Sequence, residues 1–504
     1  MRRYLKKEIN KIMETLYETN DILEKYMLTN QFAKVRILSD DLIECVEQVL
    51  RGILYDESAC EKFANCLTDY KIKLEGCWKI KSTADKISVC KTLKQYLEQA
   101  QNALANEVKD DKFKITFMPY KADMWNSMAS IYSTAILDED CEVSVVPIPY
   151  YNISNPENVS FCYEIERFPQ DVTCIHYDEY CEQEEYPDVI VIHNPYDEEN
   201  NLTRVPERFY SINLINSTAK LVYAPYFTIS HYKENNHSFM LTSPANLNAD
   251  LVLAQSERVK KLYLDMGYPT EKILALGSPK IDAVVNMASK AKEDIWEEIP
   301  EEWKEKLENK KIFLLNTHLS YFPRCSQNKA KFGNYAVQRH DEILKELLNR
   351  DDCGLIWRPH PLMKTMISGR FTEWLDYIED IEKKIKSSSN GIVDELGDYT
   401  YSFVLSDALI TTYSTLINEY MVSGKPILLI QTKLSEEDAM AAPVNVNVSY
   451  GRIGEGRISV AQFRNNVIEG KDPKKQERME EVCNAFPNLD GKAGERIYYY
   501  VKDN

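Results

Sequence analysis

Apolar residues recur at helical spacing through the first hundred positions. Tyr4, Ile9, Ile12, Met13, Leu16, Ile22 and Leu23 mark one helix. Val35, Ile37, Leu38, Leu42, Ile43, Val46, Val49 and Leu50 mark a second, divided from the first at Asn30 or Gln31. The same period predicts helices over about 60–80 and 83–107. No proline interrupts this region. It reads as a helical extension over 1–110, suited equally to assembly or docking and to buttressing the domain that follows.

The texture changes at Lys112. Short apolar runs predict strands over 114–118, 142–148, 172–175, 189–193, 220–224, 251–254 and 272–276, with a helix over 256–266. A helix-rich stretch over 286–310 reads as a connector. Alternation then restarts. Strands are predicted over 311–316, 354–358, 408–411 and 427–430. Helices are predicted over 338–349, 374–387 and 417–422, and near 460–469, 473–485 and 492–501. Strands alternating with helices make parallel sheets covered on both faces. The expectation is an α/β chain of two Rossmann-like domains, 111–285 and 311–504, joined by the connector and preceded by the helical extension.

Charge and composition narrow the function. Lysine and arginine total 61 against 79 acidic residues, a formal charge of −18. That disfavours nucleic-acid binding, which needs a basic footprint. No window approaches 18 apolar residues, and the charged start has no apolar stretch after it, so neither a membrane span nor a signal peptide is expected. Twelve scattered cysteines with no C-x-x-C pattern fit reduced thiols in a cytoplasmic protein. Seven histidines form no H-x-x-x-H pair, so no metal site is expected.

The polar residues that can carry chemistry fall at predicted strand ends, where open α/β sheets bind ligands. Arg358-Pro359-His360-Pro361 closes one strand. The histidine is held between prolines, and Arg358 can fork onto a phosphate. Asn316-Thr317-His318 closes another. Gly277-Ser278-Pro279-Lys280 follows a third; the glycine would let the backbone approach a ligand, and Lys280 could neutralise phosphate. Thr412, Ser414 and Thr415 form a polar turn opening a helix, with Glu419 one turn further in, placed to accept from ribose hydroxyls. His193 closes a strand of the first domain. Asp138-Glu139-Asp140 has a metal–nucleotide form but precedes a strand, so a surface loop is the better reading. The G-x-G-x-x-G, P-loop and G-x-S-x-G patterns are absent.

Together, G-S-P-K-I-D from Gly277, F-L-L-N-T from Phe313, R-P-H-P from Arg358 and S-D-A-L-I-T-T-Y-S-T from Ser406 resemble the CDP-glycerol glycerophosphotransferase family, which builds teichoic-acid-type poly(glycerol phosphate). The resemblance covers about residues 251–431. It implies a GT-B fold with the nucleotide held mainly by the second domain and no cofactor. It implies that His360 assists CMP departure, that Ser414 and Thr415 hold phosphate, and that Arg358 and Lys280 lie near the diphosphate. The family's T-D-Y-S-S is altered here, with Thr412 for the aspartate and Thr415 for the second serine. The family's first-domain histidine-glycine pair, its general base, is absent. His193 is the nearest substitute, with Tyr226 and His231 weaker ones. The expected partners are CDP-glycerol or another CDP-polyol and a polymer or lipid-linked acceptor, met in the cytoplasm or at the inner membrane face, with self-association left open. Two other readings stand beside this one: a GT-B nucleotide-sugar glycosyltransferase or epimerase, and a non-catalytic docking protein.

Overall fold

The computed structural model describes every residue except 53–56, 230–237, 319–332, 361, 371, 413, 431–441, 452–457 and 487. The chain forms two compact units, Met1–Phe113 and Lys114–Asn504.

The first unit is helical: α1 (Arg3–Leu28), α2 (Phe32–Gly52), α3 (Glu57–Leu74) and α4 (Thr83–Asn106). α1 packs on α2 and α4, and α3 packs on α4. Met13, Leu16, Leu23, Val46, Leu67, Leu93 and Leu97 come from the apolar stripes and are fully enclosed. Inside this core the Tyr70 hydroxyl donates to Asn20 Oδ1 at 3.2 Å. Ser82 caps α4 by accepting from the Asp85 amide. Ile22 and Ile37, counted in the same stripes, are exposed.

The second unit holds two six-stranded sheets. The strands run β1 (Phe113–Met118), β2 (Cys141–Val145), β3 (Tyr150–Asn152), β4 (Ser160–Cys162), β5 (Val189–Ile192), β6 (Thr203–Arg204), β7 (Lys220–Tyr223), β8 (Leu251–Leu253) and β9 (Ile273–Leu274). Then come β10 (Lys311–Thr317), β11 (Cys353–Pro359), β12 (Gly391–Val393), β13 (Ala408–Thr411), β14 (Ile427–Leu429) and β15 (Tyr450–Gly451). The first sheet has the order β2-β1-β5-β7-β8-β9 and the second β12-β11-β10-β13-β14-β15. Pairing is parallel from β1 through β5, β7, β8 and β9, and throughout the second sheet. In the first sheet the strand order reverses between β1 and β5, in the second between β10 and β13. Those reversals open the crevices where such folds bind ligands.

Alternation along β10 shows why its run is continuously apolar. Phe313 and Leu315 enter a core with Ile343, Ile381 and Phe463, while Ile312 and Leu314 face Trp303, Phe403 and Tyr420. Trp303 lies in one of three consecutive helices, Pro279–Ser289, Lys292–Glu298 and Glu301–Leu307, which contribute Val284, Ile295 and Leu307 to that second core.

The C-terminal helix Ala493–Asp503 returns to the first sheet's helices. Asp282 accepts from the Ala493 and Gly494 amides at 3.0 and 2.8 Å, and Tyr498 and Lys502 both bind Asp138. A Cβ at Gly494 would lie 2.3 Å from the Ser130 backbone, so only glycine permits this approach. Asp138 is thus a structural anchor. Residues 172–175 form only an isolated bridge, Val145 to Cys174, in place of the expected strand. A small antiparallel sheet, β4-β3-β6, is an addition the sequence reading did not contain. Among the described residues no helix is long and apolar enough to cross a membrane.

Candidate active site between the two sheets

A pocket of about 770 Å³, open to solvent, lies where the strand ends of both sheets converge. Its second-sheet wall is built by the reversal between β10 and β13. Asn316, at the end of β10, donates from Nδ2 to the Arg358 carbonyl at 2.8 Å. Its Oδ1 accepts from the Thr411 and Ser414 hydroxyls, both at 3.4 Å. One amide therefore ties the ends of β10, β11 and β13 together. Ser414, Thr415, Leu416 and Glu419 line the pocket beyond β13. The helix there is short, Leu416–Met421, so its start offers local N–H groups and hydroxyls rather than a long dipole.

His360 follows β11 and lines the same pocket. Its Nδ1 accepts from the Leu362 amide at 3.1 Å, which leaves the proton of the neutral ring on Nε2. Burial, then the neighbouring His318 ring and the Lys121 ammonium, push His360 down to about 3, so it is neutral at pH 7. The two rings meet edge to face with centroids 5.3 Å apart. Arg358, which lines the pocket, gives Nη1 to Asp394 and to the Leu396 carbonyl, both at 2.8 Å, which fixes the guanidinium. Lys280 reaches over from the helix Pro279–Ser289 to Glu419 at 3.1 Å and donates to the Tyr226 carbonyl at 2.8 Å. The Tyr399 ring lies under both cations, 5.2 Å from Lys280 and 5.9 Å from Arg358.

The first-sheet wall is supplied by Asp123, Met124, Tyr226 and Phe227. Asp123 sits in the 3-10 turn Ala122–Ser127 after β1, at the other reversal of strand order. This turn was given no role in the sequence analysis; its place after a strand was the available signal. Tyr226 lines the pocket, but its hydroxyl is engaged by Tyr196 at 3.1 Å.

Five expected site residues lie elsewhere. His193 is fully buried. Its Nε2 accepts from the Tyr120 amide at 3.0 Å, so Nδ1 carries the proton and faces the Ser127 hydroxyl at 3.1 Å. Burial pushes it down to about 3. With one nitrogen taken and the other protonated, His193 has no site for an acceptor's proton; it braces the turn that carries Asp123. Thr317 and Thr412 are also fully buried. Thr317 Oγ1 meets His340 Nε2 at 3.0 Å, and Thr412 Oγ1 accepts from the His318 amide at 2.8 Å, holding His318 at the rim. Gly277 and Ser278 line a separate, smaller cavity of the first half with Ser127 and Phe227. Gly277, at φ +108°, admits the C-terminal helix rather than a ligand: a Cβ there would lie 2.7 Å from Ala493 Cβ. His231 lies outside the described residues. Eight expected residues do share the pocket: Lys280, Asn316, His318, Arg358, His360, Ser414, Thr415 and Glu419.

The chain is 24% identical over 256 residues to the teichoic acid poly(ribitol-phosphate) polymerase of Bacillus spizizenii (strain ATCC 23059 / NRRL B-14472 / W23), covering 50% of this chain and 37% of that protein. It thus spans little more than a third of that relative's length. Its structure is similar to a variant of the wall teichoic acid polymerase TagF, with a TM-score of 0.50 at 14% identity over 86% of this chain and 97% of that one. A UDP-N-acetylglucosamine 2-epimerase matches with a TM-score of 0.45 at 15% identity, over 77% and 94% of the two chains. Two facing Rossmann-like sheets with the TagF likeness make the fold GT-B. The model of the CDP-Glycerol:Poly(glycerophosphate) glycerophosphotransferase family matches residues 227–503, more than half of the chain, and the chain belongs to that family.

Proposed function

We propose that this chain moves glycerol phosphate, or a related polyol phosphate, from its CDP-activated form to a hydroxyl of a teichoic-acid-like or capsular polymer and releases CMP. One observation carries the reading. His360, Arg358, Lys280, Ser414, Thr415 and Glu419, drawn from separate parts of the sequence, line one pocket at a reversal of strand order.

Their chemistry suits a diphosphate donor. The neutral His360 offers Nε2–H to the phosphate oxygen that gains charge as the bond to CMP breaks. Arg358, held by Asp394, is preset against the same group. The Ser414 and Thr415 hydroxyls and nearby amides receive phosphate oxygens, and Glu419 is set to hold ribose hydroxyls. The acceptor approaches from the Asp123 side, as a lipid-linked primer or growing polymer presented at the inner membrane face. The enzyme works from the cytoplasm.

The test uses purified chain, CDP-glycerol and a synthetic lipid-linked glycerol phosphate acceptor. CMP release matched by acceptor growth in glycerol phosphate steps is the expected result. Preference for a UDP-sugar over CDP-glycerol in calorimetric binding would overturn it in favour of sugar transfer. A folded sample that binds no cytidine or uridine ligand would overturn it in favour of a docking role.

A further inference from the structure

The acceptor hydroxyl needs a base, and His193 cannot serve. We infer that Asp123 is the general base, a reading that rests on the proposed transfer reaction. Asp123 is the one carboxylate that the first-sheet wall, among the described residues, presents to the pocket holding His360 and Arg358. Its Oδ1 accepts from Arg167 Nη2 at 2.8 Å. Its Oδ2 accepts no hydrogen bond from any described residue and is the atom left for a proton.

The turn that carries it is heavily fixed. Glu164 accepts from the Ala122 amide at 3.0 Å and from the Tyr150 hydroxyl at 2.6 Å, and pairs with Arg167 at 3.1 Å and Lys121 at 3.4 Å. From below, the same turn is braced by His193 through Ser127. At its far end, Asn126 donates to Asp398 of the second half at 3.0 Å. Next to Asp398, Gly397 faces the carboxylate: a Cβ there would stand 4.0 Å from Asp123 Oδ1. Such fixing on both sides suits a group whose position relative to the donor matters.

The charges around Asp123 fit the role. Burial raises its pKa and Glu164 adds to this, while Arg167, Arg358 and Lys121 oppose it. The balance is a carboxylate more basic than an exposed aspartate, the direction a general base needs. In the step, the acceptor O–H gives its proton to Asp123 Oδ2 as its oxygen bonds to the donor's outer phosphorus. The bond from that phosphorus to the bridging oxygen breaks, and CMP leaves with the electron pair. The proton passes from Asp123 to solvent.

Two variants of the full chain test this in the transfer assay. Asp123→Asn is expected to bind CDP-glycerol as tightly as wild type or tighter, because a negative charge near Arg358 is gone, while transfer falls about 100-fold or more. Arg167→Gln touches only a half-exposed side chain. Removing that cation makes Asp123 more basic, so the acidic limb of the kcat/KM profile should move to higher pH. Transfer by Asp123→Asn within about threefold of wild type, or an unmoved acidic limb in Arg167→Gln, would overturn the assignment. Wild-type chain that transfers nothing from CDP-glycerol would instead overturn the proposed reaction itself.

Discussion

The two walls of the pocket are built by different means. On the second-sheet wall, the active groups stand at strand ends and hold one another: Asn316 ties three strands, and Thr412 fixes His318. On the first-sheet wall, a single carboxylate rides on a turn whose support lies out of sight, in Glu164, Lys121, Tyr150 and His193. The family match begins at residue 227, so it includes the second-sheet wall wholly and the Asp123 turn not at all. The family match thus reaches the residues proposed to hold the donor and stops short of the turn that carries the proposed base.

The contrast can be broken or sharpened by mutation. The largest effect is expected from His360→Ala, which removes the donor proposed to face developing charge. It should lower kcat about 10²–10³-fold with a much smaller change in CDP-glycerol affinity. A loss in affinity alone would make His360 an ordinary ligand contact. Next, His193→Ala should cost about 2–4 kcal/mol of stability in denaturant unfolding, as a buried hydrogen-bonded ring is lost, and leave donor affinity near wild type. If stability were unchanged and only the rate fell, the bracing role would be wrong. His193 also gives a pH signature. Its folded value of about 3 lies below the unfolded value, so the unfolded chain binds the extra proton as pH falls. Stability should decline on acidification from about 6.5 toward 3, with a shallower slope in His193→Asn. Smaller still, Ser414→Ala should weaken CDP-glycerol binding about tenfold, since one hydrogen bond to a charged group is worth about 1.5 kcal/mol. The melting temperature should not move.

Much of this architecture was legible in the residues. Period-3.6 stripes gave all four N-terminal helices, and the apolar runs gave β10, β11, β13 and β14 of the second sheet but neither β12 nor β15, which are two or three residues long. The failures have physical causes. β3, β4 and β6 are two or three residues each, too short to show an alternating pattern. Gly277 looked like a phosphate glycine because its neighbour in space, Ala493, lies more than 200 residues away. His193 looked catalytic because a strand-end position does not reveal which ring nitrogen is already spent. Asp123 was overlooked because only its place after a strand marks it locally; it reaches the pocket through the reversal between β1 and β5, whose partners are some seventy residues apart.

The Lys280–Glu419 pair has a kinetic consequence. Lys280 and Arg358 line the pocket together with Asp123 and Glu419, so its lining charges cancel, within a chain of net charge −18. The proposed diphosphate donor would meet no attractive field at long range, and Lys280 would have to leave Glu419 to pair with it. Encounter with CDP-glycerol, the proposed donor, should therefore gain no electrostatic assistance, and raising the ionic strength, which screens the chain's net negative charge, should not slow association. The same neutrality favours turnover. In the proposed reaction CMP would leave behind groups that can pair with each other again, Lys280 with Glu419 among them.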